Sequence, residues 1–130
     1  MRDWVFDQPE ARSLREARQA FLLEVLAQIE LLLALETALD AGCGIGYFAA
    51  ALNQSGLEVA AFDARTENIE EARRRFPQIR FHCANIEDSA VLELGTFDVT
   101  VCFGLLYHLE NPLRALRNLY SMTKKVLLVE

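Results

Sequence analysis

Two kinds of apolar spacing divide the chain. From Glu10 to about Leu33, apolar residues recur three and four positions apart, at Leu22, Val25, Leu26, Ile29, Leu32 and Leu33. That spacing predicts one long helix, with Pro9 placed to start it. From Thr37 onward, short apolar runs alternate with helix-length segments. Thr37-Ala38-Leu39, Leu57 to Asp63, Ile79 to Ala84, Phe97 to Phe103 and Val126 to Val129 read as five strands. The fourth is apolar on both faces, as a covered parallel strand requires. Helices are predicted over Tyr47 to about Ser55, Thr66 to Phe76 and Leu113 to about Met122, with a short helix or turn over Ser89 to Leu94. Gly56 should stop the first of these and Thr66 should cap the second. In the second, acidic residues come early and Arg73 to Arg75 late, as the helix dipole favours. Leu113, Leu116, Leu119 and Tyr120 mark the expected buried stripe of the last.

Every link between strands is long enough for a parallel crossover. Right-handed crossovers with one reversal after the third strand give an α/β, doubly wound, mainly parallel five-stranded sheet of order 3-2-1-4-5. Helices cover both faces, and one helix precedes the sheet. A single domain is expected over 1–130, with 1–35 as an N-terminal lid or helix and 36–130 as the core. Trp4, Val5 and Phe6 leave the reading open between a lid over a pocket and the blander frayed end or staple on the first helix.

The stretch from Thr37 to Phe48 carries the chemistry. A strand runs into Asp40, turns through Gly42, Gly44 and Gly46, and leaves as an apolar helix. Glycine turns between a strand and a helix bring backbone close to a ligand and aim N–H groups at it. The spacing separates two ligand classes. A dinucleotide fingerprint begun at Gly42 would put its third small residue at position 47, where the helix must approach the strand closely. That position holds Tyr47, and the glycine falls at 46. A tight turn without a ligand is the bland alternative. Asp63 lies 23 positions after Asp40, at the tip of the second strand, where a carboxylate can accept both hydroxyls of a ribose. Asn85 and Ile86 follow the third strand, and Phe103 to His108 follow the fourth. In the expected sheet all four loops share the carboxyl edge, where such sheets bind ligands.

Composition narrows the class. At 52% hydrophobic and 25% charged residues the chain can bury a core, and a net charge of −6 argues against a grip on nucleic-acid backbone. Glu24, Gln28, Glu30 and Glu36 interrupt the apolar stretch from Phe21 to Leu39, so it is not expected to span a membrane. Arg12, Arg15 and Arg18 could hold an anion, but Glu10 and Glu16 lie among them, which favours a solvated face. Met1 is followed by Arg2 and Asp3 rather than a leader's apolar run. Cys43, Cys83 and Cys102 have an odd count and no metal-like spacing, and are expected to be reduced, mostly buried thiols of a cytoplasmic protein. No metal site is expected.

The pieces T-A-L-D-A-G-C-G-I-G-Y-F, V-A-A-F-D-A-R and F-D-V-T-V-C-F-G-L-L-Y-H-L-E-N-P together resemble the class I S-adenosylmethionine-dependent methyltransferases, a Rossmann-like family. The resemblance covers about Thr37 to Glu130. It implies S-adenosylmethionine, or its product S-adenosylhomocysteine, as cofactor. It puts the backbone from Gly42 through Cys43 and Gly44 to Gly46 against the methionine part, with Asp40 orienting that loop and the amino group. It assigns Asp63, with Ala64 beside it, to the ribose, Asn85 and Ile86 to the adenine, and Phe103 and Gly104 to the methionine chain and the transferring methyl. Family members often have Asp where this chain has Asn85. The acceptor, a small molecule or a modified RNA, is not specified by these residues. Tyr107 and His108 are the candidates for a base, and a rim position is the competing reading of His108. Members usually carry seven strands, so the chain is expected to stop at strand five, as a fragment or a minimal domain. Val126 to Val129 holds no charged residue, and is expected to pair with a second copy in a homodimer. A non-catalytic cofactor-binding or assembly module of the same fold is the alternative function.

Overall fold

The computed structural model describes residues 4–130. It resolves into two compact units, Met1–Ala34 and Leu35–Glu130. In the first, a 3-10 turn at Val5–Asp7 leads into α1 (Pro9–Glu30), with Pro9 in the first turn. The Arg15 guanidinium donates to the Phe6 carbonyl and ties the turn to the helix. The helix ends three residues before the expected Leu33. Leu31 and Leu32 lie past its end and are exposed.

The second unit is built as β1 (Thr37–Ala41), α2 (Tyr47–Gln54), β2 (Glu58–Asp63), α3 (Thr66–Arg75), β3 (Arg80–Cys83), a 3-10 segment at Ser89–Leu94, β4 (Phe97–Cys102), a 3-10 turn at Leu106–His108, α4 (Pro112–Ser121) and β5 (Thr123–Val129). The five strands form one sheet of order β3-β2-β1-β4-β5, with every pair parallel. This is the expected topology. Leu39 and Ala41 of β1, with Ala60 and Phe62 of β2, join Ala115 and Leu119 of α4 in one core cluster. Strand alternation therefore turns Asp40 and Asp63 to the other face, which α2 and α3 cover.

Several local details differ from the sequence expectation. Thr66 is the first residue of α3 rather than its cap. The residue before it, Arg65, gives its N–H to the Asp63 carboxylate instead. On α4 the buried positions are Ala115, Asn118 and Leu119, while Leu113 and Tyr120 face solvent. The small Ala115 lets the helix sit close to the sheet, and buried Asn118 finds a partner in the Ile86 carbonyl at 2.7 Å.

Strand β5 begins at Thr123 rather than Val126, so it contains Lys124 and Lys125. Its pairing with β4 also slips: Thr123 faces Phe97, but Val126 faces Val99. One extra residue on β5 makes a bulge. Charged residues and a bulge are the devices that discourage pairing along a strand edge. The reading of β5 as an edge without charge is thus corrected. At the amino ends of the strands, Asp98 acts as a latch. Its Oδ2 accepts the N–H of Glu36 at 2.8 Å and of Thr37 at 3.3 Å, and Lys125 Nζ lies 3.4 Å from Oδ1. The Glu36 N–H first, then those of Thr37 and Lys125, hold its carboxyl below the usual range against the cost of burial.

Candidate functional site

The glycine turn follows directly from β1. Gly42, Gly44 and Gly46 have φ of +76°, +54° and +96°, a region that side chains other than glycine rarely enter. Space is restricted as well. A Cβ on Gly42 would lie 2.7 Å from Leu105 Cδ2, and one on Gly46 would lie 2.9 Å from Phe81 Cζ. The turn spends its own donors inside the protein. Gly42 and Cys43 both donate to the Phe62 carbonyl at 2.9 Å, Gly44 donates to Asp63 Oδ2 at 3.0 Å, and Gly46 donates to the Cys43 carbonyl at 2.9 Å. The sequence expectation of N–H groups aimed at a ligand fails for these four. A pyrophosphate cradle needs such donors free.

Two carboxylates flank the turn. Asp40 is 2% exposed. It accepts the backbone N–H of Ala49 in α2, and its Oδ2 has no hydrogen-bond partner. Burial raises its pKa to about 7, with the Ala49 N–H opposing and the charge of Asp63 adding to the rise. Asp63 is half-buried at the tip of β2. Its Oδ1 accepts the Arg65 N–H at 2.9 Å and the Asn68 side-chain amide at 3.1 Å, while Oδ2 takes the Gly44 N–H. A carboxylate has about four lone-pair sites, so one on Oδ2 is left. The two acids also act on the cysteines. Burial first, then Asp40 and Asp63, push the Cys43 thiol far up, and burial with Asp40 pushes Cys102 up to about 12. Cys83, expected to be mostly buried like the others, is exposed beside the Ala64 carbonyl at the end of β3.

The other expected residues reach the same sheet edge but do not all face one point. Asn85 is exposed, and its Oδ1 accepts the Glu87 N–H at 2.9 Å in a local turn. Ile86 is 3% exposed and its side chain belongs to the core cluster, so it presents no open apolar face. Phe103 meets Phe48 of α2 edge to face at 5.4 Å between centroids. Gly104 has φ +69° and begins the loop that carries Leu105 onto the glycine turn. Tyr107 and His108 lie ring against ring, 4.5 Å apart, and both are exposed. Among the described residues, no three His, Cys, Asp or Glu side chains gather to hold a metal ion, and no helix is long and apolar enough to cross a membrane.

Sequence comparison completes this picture. The family model described as a methyltransferase domain matches residues 39–126, from within β1 to within β5. The chain belongs to the methyltransferase domain family. A ubiquinone biosynthesis O-methyltransferase of Xanthomonas campestris pv. campestris (strain B100) is 32% identical over 90 residues, 66% of this chain and 38% of that protein. The chain thus spans little more than a third of that relative's length. The solved magnesium protoporphyrin IX methyltransferase (ChlM) of Synechocystis PCC 6803, with bound SAM, superposes with a TM-score of 0.75 at 21% identity, covering 99% of this chain and 64% of that one. At that identity the likeness is one of fold. The N-terminal domain of EvdMO1, with SAH bound, gives a TM-score of 0.68 at 25% identity over 85% of this chain and 47% of that one.

In this methyltransferase domain, three contacts escaped the sequence reading. Leu105 lies on Gly42, Asn68 holds Asp63, and Phe48 meets Phe103. Asn68 had a faint signal, a polar residue in the first turn of the helix after Asp63. Leu105 and Phe48 read as ordinary apolar residues, and only the packing of the loop after β4 against the glycine turn and α2 gives them a place beside the turn.

Proposed function

We propose that the chain binds S-adenosylmethionine at the glycine turn and supplies the cofactor half of a methyltransferase. The observation that carries this reading is the pairing of a turn in which the N–H groups of Gly42, Cys43, Gly44 and Gly46 are already used with two carboxylates, Asp40 and Asp63. Such a site suits a cationic ligand and repels a pyrophosphate. The residues fit the cofactor on three counts. Positive-φ glycines allow close approach of its methionine part, the open lone pair of Asp63 suits a ribose hydroxyl, and the bare Oδ2 of Asp40 favours positive charge. Bound there, the cofactor would supply an activated methyl group on a sulfonium. The chain's task is then to align donor and acceptor and keep water out. Phe103 and Leu105 line that side of the crevice, while Asn85 would meet the adenine through its amide and Ile86 through its backbone.

The acceptor we favour is a hydroxyl of a small molecule, a reading supported by the O-methyltransferase relatives. Tyr107 and His108, exposed at the same edge with their rings 4.5 Å apart, would take the hydroxyl proton. The three free cysteines support a reducing, cytoplasmic setting. Lys124, Lys125 and the bulge weigh against a homodimer through β5. Calorimetric titration with S-adenosylhomocysteine, with NAD as control, tests the reading. Saturable binding of the first ligand alone, weakened at least tenfold by Asp63→Ala, is the expected result. A folded protein that binds neither ligand would refute the cofactor reading and leave the non-catalytic module.

A further inference from the structure

Asn118 reaches from α4 to the loop that follows β3, and the contact has a consequence that rests on the cofactor reading above. Asn118 is 8% exposed, and its Nδ2 donates to the Ile86 carbonyl at 2.7 Å. That carbonyl and the Glu87 N–H belong to one peptide unit, which is planar and stiff, with the two groups pointing opposite ways. The Glu87 N–H donates in turn to Asn85 Oδ1 at 2.9 Å. Asn118 and Asn85 therefore hold the two sides of a single peptide. Two further contacts tie this loop to α4. Glu87 Oε1 accepts the N–H of Asn111, the residue that caps α4, and the Ile86 side chain shares the core cluster with Ala115 and Leu119.

The consequence concerns the two ends of the Asn85 amide. They have nearly the same shape and opposite hydrogen-bonding sense. A fixed N–H at Glu87 decides which end faces it, since only the oxygen can accept. Oδ1 then keeps a second lone pair, which suits an amine. Were the Glu87 N–H free to move away, Asn85 could turn over, and its NH2 would stand in the same place and suit a carbonyl.

We propose that Asn118 is a positioning residue for base recognition. By holding the Ile86–Glu87 peptide it keeps the oxygen of Asn85 available to the amino group of an adenine, so that the site takes adenine and rejects the corresponding purine with a carbonyl in its place. Selectivity for the base is thus set from α4, 32 residues along the chain from the loop that meets the ligand.

The test compares calorimetric affinities for S-adenosylhomocysteine and S-inosylhomocysteine, in which a carbonyl replaces the amino group. The intact chain should bind the adenosyl ligand at least about tenfold more tightly. Asn118→Ala should bring the two affinities to within about threefold of each other. Asn85→Asp presents oxygen in both orientations, so adding it to Asn118→Ala should restore a preference of at least about tenfold. A general loosening of α4 would weaken both ligands alike and would not be repaired at position 85. An unchanged preference in Asn118→Ala, no recovery in the double variant, or equal binding of both ligands by the intact chain overturns the proposal and leaves the cofactor reading intact. Failure of the folded intact chain to bind either ligand overturns both. Backbone amide exchange on the intact chain gives an answer that does not depend on the folding of Asn118→Ala. Protection of the Glu87 N–H without ligand supports the link between the two asparagines, and exchange at the rate of an unstructured peptide refutes it.

Discussion

Replacing Asp40 with Asn should change how the stability of this protein depends on pH. The carboxyl goes from an ordinary value of 3.8 in the unfolded chain to about 7 in the fold, because burial disfavours its ionised form. A raised folded value stabilises the native state fully below 3.8 and loses that contribution as pH rises through 7. Worked from those two values, the loss between pH 5 and pH 8 is about 2–3 kcal/mol. Other groups titrate nearby. His82 is held below 6.5 by burial and by Arg80 and Arg73, which gives the opposite slope in part of this window. Glu71, brought down to about 2 by Arg74 and Arg75, acts at lower pH. These contributions are common to both proteins and cancel in the comparison. Asn keeps an oxygen for the Ala49 N–H but places an amide where Oδ2 was bare, so its absolute stability can move either way. The difference in slope isolates the charge. Urea unfolding at pH 5 and pH 8 measures it: the parent should lose about 2–3 kcal/mol more than Asp40→Asn across the interval. Parallel pH profiles for the two proteins would refute the assignment of a buried, readily protonated carboxyl at this position.

Gly42→Ala should cost about 2 kcal/mol of stability, from the positive φ and the 2.7 Å approach to Leu105, and should weaken S-adenosylhomocysteine binding in the same calorimetric assay. Asp98→Ala should destabilise by about 2–4 kcal/mol at pH 7, since it leaves the Glu36 and Thr37 N–H groups without their acceptor. Because the Asp98 carboxyl is held low, that penalty should shrink as pH falls below 3.8, which thermal melts at pH 7 and pH 3 would register. Lys124→Val with Lys125→Val should make β5 a continuous apolar edge and raise self-association in light scattering; an unchanged monomer fraction would count against the protective role given to the lysines.

The order of the sheet, and the edge at which the candidate residues gather, could be read from the sequence. Apolar runs of strand length separated by helix-length links leave few parallel topologies, and handedness selects among them. The spacing of Gly42, Gly44 and Gly46 against Tyr47 separated the turn from a dinucleotide fingerprint, because that argument depends only on side-chain size at fixed positions. The position of Asp63 was legible too, as the acidic residue that ends β2.

Tertiary structure decided what depends on neighbours distant in the chain. Whether the turn offers N–H donors depended on the Phe62 carbonyl and Asp63, which lie about twenty residues away. Whether Asp40 is charged depended on its depth and on the reach of Asp63, since desolvation belongs to the packed interior rather than to a residue type. The buried face of α4 departed from its leucine spacing because Ala115 and Asn118 fit the space between helix and sheet, and Leu113 and Tyr120 did not. The start of β5 shifted because pairing with β4 extends a strand through polar Lys124 and Lys125, whose backbone hydrogen-bonds as well as any apolar residue's. Periodicity reports which residues prefer the interior. The interior itself assigns charge, donors and close contacts, and those are the quantities on which the chemistry of this site depends.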